Sequence, residues 1–299
     1  MIRKILFSYL FASMAFGQIS YNPLQVVQGE TVIDREAAPA LIGKTDTDTF
    51  TYLRTDSDGK LVTTALTGFG ADFTFGDVVS NTTTAKVVRR TTYTEPATEA
   101  QRSVSSANAA DSAAGTGLRT LRIVYYNNSG SGPFTTDVTM NGTTAVNTTA
   151  TDIRFVEEVF ALTVGSGGVN AGIITIFNST GGAGGTLGTI NAGDNRTYWA
   201  HHYVATGKIA NITGISAGST ATTVGCGSLF VLRAQRLDVA NSADIQVSDF
   251  VRLYGQSSTF ARAYQSPIKV TGPSRIVVWA TPECTTSTTY RAAVDFFEP

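Results

Sequence analysis

Two adjacent histidines (His201, His202), two adjacent glutamates (Glu157, Glu158) and two cysteines (Cys226, Cys284) are the side chains of this 299-residue chain best suited to proton transfer, nucleophilic attack or metal binding. Their spacing argues against all three. Neighbouring residues on a strand point to opposite faces, so neither pair can face one substrate as acid and base. The expectation is one buried, hydrogen-bonded histidine beside an exposed one, with the glutamates on a solvated edge or an intersubunit contact. The cysteines have no short-range metal or redox spacing; they are either one bridge in an oxidising compartment or two small buried side chains. Two histidines and two cysteines are too few to build a metal centre, and neither metal nor cofactor is expected. Asp56 and Asp58 precede Gly59, but the later oxygen ligands and closing Glu of a calcium loop are missing, so Asp58-Gly59 is read as a turn. The glycine runs at 165–168 and 181–185 match neither a dinucleotide fingerprint nor a phosphate loop, and no G-x-S-x-G occurs. No catalytic residue is assigned, and the chain reads as non-enzymatic.

Composition says what must position these side chains. Charged residues make up 15% of the chain, and 22 basic against 23 acidic groups leave a formal net charge of −1. No long-range field attracts nucleic acid or an anionic membrane, and neither is expected as a partner. The 45 threonines and 29 glycines favour strands and turns over helices. The opening Met1–Gln18 has a basic start, an apolar run from Ile5 to Phe16 and small residues at Ala15 and Gly17. It reads as a signal peptide or as an apolar arm docked on a partner subunit, and the run is too short to cross a bilayer. Seven N-x-S/T triplets are no more than a threonine-rich chain produces by chance.

Residues 1–112 read as an N-terminal arm and a small hairpin over Thr51–Thr63, with a linker or exposed ledge at Thr94–Gly117 that carries almost no large apolar residue and sets a boundary near 112–117. From 113 to 299 the pattern changes to short β-branched and aromatic runs separated by Gly, Asn and Ser turns. Leu118–Tyr126 and Phe134–Met140 are predicted strands, and Asn141-Gly142 a hairpin turn. Asp152–Val164 carries a competing helical spacing at Phe155, Val159 and Leu162, but its valines favour a short irregular lead followed by a strand. Further strands are predicted at 171–177, 187–190, 196–204, 208–216, 227–237, 248–254, 274–280 and 288–297. The fold class that follows is all-β: an antiparallel β-sandwich, jelly-roll-like, at 113–299.

Leu118–Tyr125 after Gly117, the hairpin-like Thr136-Asp-Val-Thr-Met-Asn-Gly-Thr-Thr-Ala-Val146, Asp152–Val156 and Gly165–Thr175 together resemble a recurring module of tailed-bacteriophage virion proteins. Tyr203–Lys208 is similar to the turn that follows in that module, with Ala205 and Thr206 in place of its usual Pro-Ala pair, and Leu53–Val62 is similar to the hairpin often found ahead of it. The resemblance covers about half the chain, concentrated at 117–208. It implies a virion structural subunit assembled in the host cytoplasm, without enzymatic activity, in a decoration, head-fibre, collar, vertex or tail position. It also implies a homo-oligomer, with a modest preference for a trimer, in contact with major capsid, neck or tail proteins. The leader-like opening departs from that pattern and suits a second reading, a secreted or surface adhesin whose Tyr198, Trp199 and Trp279 face sugars. The alternative for those aromatics is core packing.

Overall fold

The computed structural model describes five strands between residues 26 and 66, residues 71–80 and 82–221, and most of 227–299; side chains are described from Phe73 onward. The readings of Met1–Gln18, Asp56, Asp58, Cys226 and Cys284 fall outside the described residues. The chain divides into two compact units, 1–67 and 68–299. In the first, β1 (Val26–Val27) pairs with β2 (Glu30–Thr31), and β3 (Leu41–Lys44), β4 (Phe50–Thr55) and β5 (Leu61–Leu66) form an antiparallel meander. The β4–β5 pair is the hairpin expected over Thr51–Thr63, with Thr55 opposite Leu61.

The second unit begins with β6 (Ala71–Ser80), β7 (Lys86–Val87) and β8 (Ser103–Ser106), followed by β9 (Leu118–Tyr126), β10 (Phe134–Thr139), β11 (Val146–Asn147), β12 (Phe155–Val164), β13 (Ile174–Phe177) and β14 (Thr186–Ile190). It closes with β15 (His201–Val204), β16 (Ile209–Ala221), β17 (Gly227–Arg236), β18 (Ile245–Tyr254), β19 (Ser257–Thr271), β20 (Ser274–Pro282) and β21 (Thr288–Phe297). All pairings are antiparallel, and the expected β-sandwich occurs twice. One sandwich sets β10-β9-β12 against β11-β8-β13-β14 around Leu121, Ile123, Val156, Val159, Ile174 and Ile176. The other sets β15-β20-β17-β18, with β7 added on β20, against β19-β16-β21-β6 around Ile212, Phe230, Leu232, Val278, Tyr290 and Val294. From β15 to β21 the chain passes back and forth between these two sheets, as in a jelly roll. Among the described residues no helix is long and apolar enough to cross a membrane.

The boundary expected near 112 lies instead between Thr67 and Gly68, because residues 71–112 are built into both sandwiches. β6 pairs with β21 over ten residues, β7 with β20, and β8 with β13. The linker reading of Thr94–Gly117 failed because polar groups hold this segment. Arg102 is buried, and its guanidinium donates to the carbonyls of Thr98 (2.6 Å), Ile153 (2.7 Å) and Asn178 and to Asn178 Oδ1 (2.7 Å). Asp111 is buried too. Its carboxylate accepts from Ser106 Oγ (2.5 Å) and from the amides of Leu118 (2.6 Å), Ala171 (2.8 Å) and Gly172 (2.9 Å). Burial alone would raise this carboxyl; the four donors outweigh it and hold it below the usual carboxylate range. The Asp111 carbonyl also accepts from Gly142 N, and Ser106 N donates to Gly142 O. Asn141-Gly142 is therefore a turn, with Gly142 at a φ of 59°, but it sends the chain from β10 across to β11 in the facing sheet instead of closing a hairpin.

Asp111→Ala strands the buried amides of Leu118 and Gly172, the part-buried amide of Ala171 and one hydroxyl without an acceptor, so it is expected to destabilise the protein by about 3 kcal/mol or more. Urea unfolding measures this, and Asp111→Asn, which keeps the shape but loses the charge, is expected to fall between wild type and Ala.

Candidate functional site

A cleft of about 540 Å³ opens where the two sandwiches meet, lined by β6 (Phe73, Phe75), β9 (Val124, Tyr126), β12 (Glu157, Glu158), the Arg196–Trp199 segment, β15 (His201, His202) and the end of β21 (Phe296, Glu298). Both glutamates and both histidines singled out from the sequence are thus brought together.

A bulge in β12 makes this possible. Its register against β9 steps from Val156 opposite Tyr125 to Glu158 opposite Val124, leaving Glu157 as the extra residue. Val156 and Val159 can then both enter the core, with the two glutamates between them on the cleft side. Of the three positions whose spacing suggested a helix, Phe155 and Val159 are buried and Leu162 is exposed. The glutamates are half-buried in specific pairings, which removes the solvated edge, one of the two places expected for them: Glu158 holds Arg196 at 2.8 Å, and Glu157 reaches His202.

β15 is buried on both faces, so neither histidine is exposed; the expectation of one exposed ring is corrected. His201 faces an aromatic cluster of Tyr93, Trp199 and Tyr203, with ring centroids 5.2–5.4 Å away. Arg89 Nε donates to its Nδ1 at 3.0 Å, and its Nε2 lies 2.9 Å from Glu157 O and 3.1 Å from Val156 O. An arginine has only protons to offer and a carbonyl only lone pairs, so this ring is neutral with its proton on Nε2. Burial first, and the Arg89 charge second, hold it well below the usual histidine range. His202 is its opposite. Nδ1 meets Glu157 Oε1 at 2.9 Å, Nε2 meets Glu298 Oε1 at 2.8 Å, and the ring stacks on Phe296 with centroids 4.0 Å apart. Burial would lower its pKa, but the two carboxylates outweigh burial and lift it to about 10. The second oxygen of Glu157 accepts from Tyr203 N at 2.8 Å.

Every nitrogen of both rings is engaged. His202, protonated on both nitrogens, has no lone pair for a metal or a substrate proton, and His201 has spent its own on Arg89. Among the described residues no group of three His, Cys, Asp or Glu side chains is placed to hold a metal ion. Trp199 packs in the core, 4.7 Å from the Tyr93 ring, and its indole donates to Thr91 Oγ1. Tyr198 is covered by Arg90 at 4.3 Å, and Trp279 lies half-buried near Arg233. Sequence reasoning missed Arg89, Tyr93, Phe296 and Glu298; none lies in a motif, and each reaches its histidine from more than 90 residues away or across a sheet.

The raised pKa of His202 sets a pH window. A pKa raised by folding stabilises fully below the unfolded value of about 6.5 and is lost as pH rises through the folded one. Thermal stability is therefore expected to fall between about pH 6.5 and the folded value of about 10. Differential scanning calorimetry across this range checks it, and His202→Gln is expected to flatten the slope while lowering stability at neutral pH.

No family model matches the chain, and no curated protein matches it. Among solved structures it is similar to the infectious bursal disease virus Gx strain structure, at 10% identity over 87% of this chain and 70% of the other, with a TM-score of 0.23. A second similarity is to the infectious bursal disease virus VP2 subviral particle, at 9% identity over 87% and 74%, with a TM-score of 0.20. At these scores the likeness carries no functional argument.

Proposed function

We propose that the chain is a non-enzymatic structural subunit of a virion, of the tailed-phage type, that assembles with copies of itself and with neighbouring capsid, neck or tail proteins. The observation that carries this reading is how the cleft spends its chemistry. The side chains best equipped for catalysis, His201, His202 and Glu157, are consumed in bonds that join β12, β15 and the Glu298 end of the chain. Such bonds fasten elements together, and they occupy the ring nitrogens that a base or a metal ligand would need. The same economy governs Arg102 and Asp111, and the sequence resemblance at 117–208 points to the same class of protein. The sugar-binding reading loses one of its three aromatics, since Trp199 is inside the core.

Cryo-electron microscopy of the particles that contain the protein tests this. The expected result is density for the two stacked sandwiches at a repeated, symmetry-related position. Recovery of the protein only as a free, exported monomer would remove the reading.

A further inference from the structure

The outer face of the β19-β16-β21-β6 sheet is ordered in rows by its registers. Ala263, Gly214, Asp295 and Phe73 lie side by side; next come Ala261, Ser216, Ala293 and Phe75; then Thr259, Gly218, Arg291 and Asp77. The middle of this face is a shallow trough of about 380 Å³ over Ser216, Gly218, Ala261 and Ala293, walled by Phe75. Phe73 beside it is 64% exposed. β21 carries two opposite charges onto the middle of the face: Arg291 and Asp295 are both exposed, and no ion-pair partner for either occurs among the described residues. They cannot satisfy each other within the chain, because four residues along a strand separate them by about 13 Å. Asp77, directly across from Arg291, is held by Arg90 at 2.7 Å, and Asp295 has Gly214 and Phe73 as its cross-strand neighbours.

We infer that this face packs against the same face of a second copy, about a two-fold axis that crosses β21 at Ala293. The proposal rests on the self-assembly reading above and names the surface that performs it. Charge pattern selects the geometry. An axis in the interface and perpendicular to β21 reverses the strand, laying Arg291 of one copy over Asp295 of the other, twice; an axis parallel to the strand would oppose like charges. The same rotation sets Phe75 against its own copy. Glycine, alanine and serine in the middle rows let the two backbones approach closely enough for these contacts to form. A face that complements itself in charge and in shape needs no other partner.

Charge reversal in the full-length protein tests this. Arg291→Glu alone and Asp295→Arg alone each create two repulsive contacts and are expected to weaken self-association about tenfold or more by sedimentation equilibrium, while the double reversal restores it. Ala293→Arg, which places like charges at the axis, is expected to break the dimer without restoring partners; thermal melting confirms that each variant is folded. If wild type associates and all four variants associate equally well, the face is not the interface, although the self-assembly reading stands. If the single reversals weaken association and the double reversal does not restore it, the two-fold pairing is wrong. If wild type is monomeric at tens of micromolar and absent from any particle, it is the self-assembly reading that fails.

Discussion

A charge removed from water must be met by hydrogen bonds, and much of this fold is arranged around that requirement. Among the described residues no cation pairs with Asp111. Its carboxylate is instead surrounded by one hydroxyl and three amides drawn from the end of β8, the start of β9 and the approach to β13. Because those four donors come from three separate segments, keeping the anion satisfied fixes where three strands begin or end. Arg102 answers the same demand with opposite sign, gathering carbonyls from Thr98, Ile153 and Asn178. These ions need no salt bridge, and so avoid the cost of desolvating a second charge.

The histidine pair extends this logic to the junction of the sandwiches. One inserted residue, Glu157, bends β12 so that its backbone carbonyl accepts a hydrogen bond from His201 while its side chain accepts one from His202. Two rings that are adjacent in sequence thus sit in opposite protonation states on opposite faces of β15. Replacing either partner leaves a buried group unpaired, which is how a bulge of a single residue comes to hold two cores together.

What the sequence disclosed follows from which residues face inward. β9 and β21 were legible almost to the residue because large apolar side chains alternate along them, as in Tyr290, Ala292, Val294 and Phe296. β6 was illegible because its pattern is inverted: Thr74, Gly76 and Ser80 face inward and Phe73, Phe75 and Val79 outward. Gly76 is inward by necessity, since a Cβ there would come within 2.3 Å of Val88 O and 2.5 Å of Ala200 N. β19 was hidden by its polar content and by Pro267, which falls where the register with β16 jumps between Ile268 and Ala263. The candidate site was half legible. The unusual residues were visible, but their partners lie far along the chain, and nothing local marks the bulge that turns adjacent glutamates into different roles.

The opposed histidines also shape the molecule's titration curve. Histidine is the side chain that ordinarily gains or loses its proton between pH 5 and 8, and this chain has two. His201 is held neutral and His202 charged throughout that interval, so neither buffers there. The formal charge of −1 counts both as neutral; the proton kept on His202 brings it to zero. Near neutral pH copies of the chain therefore meet with little net repulsion, and the usual histidine switch gives them no signal to separate.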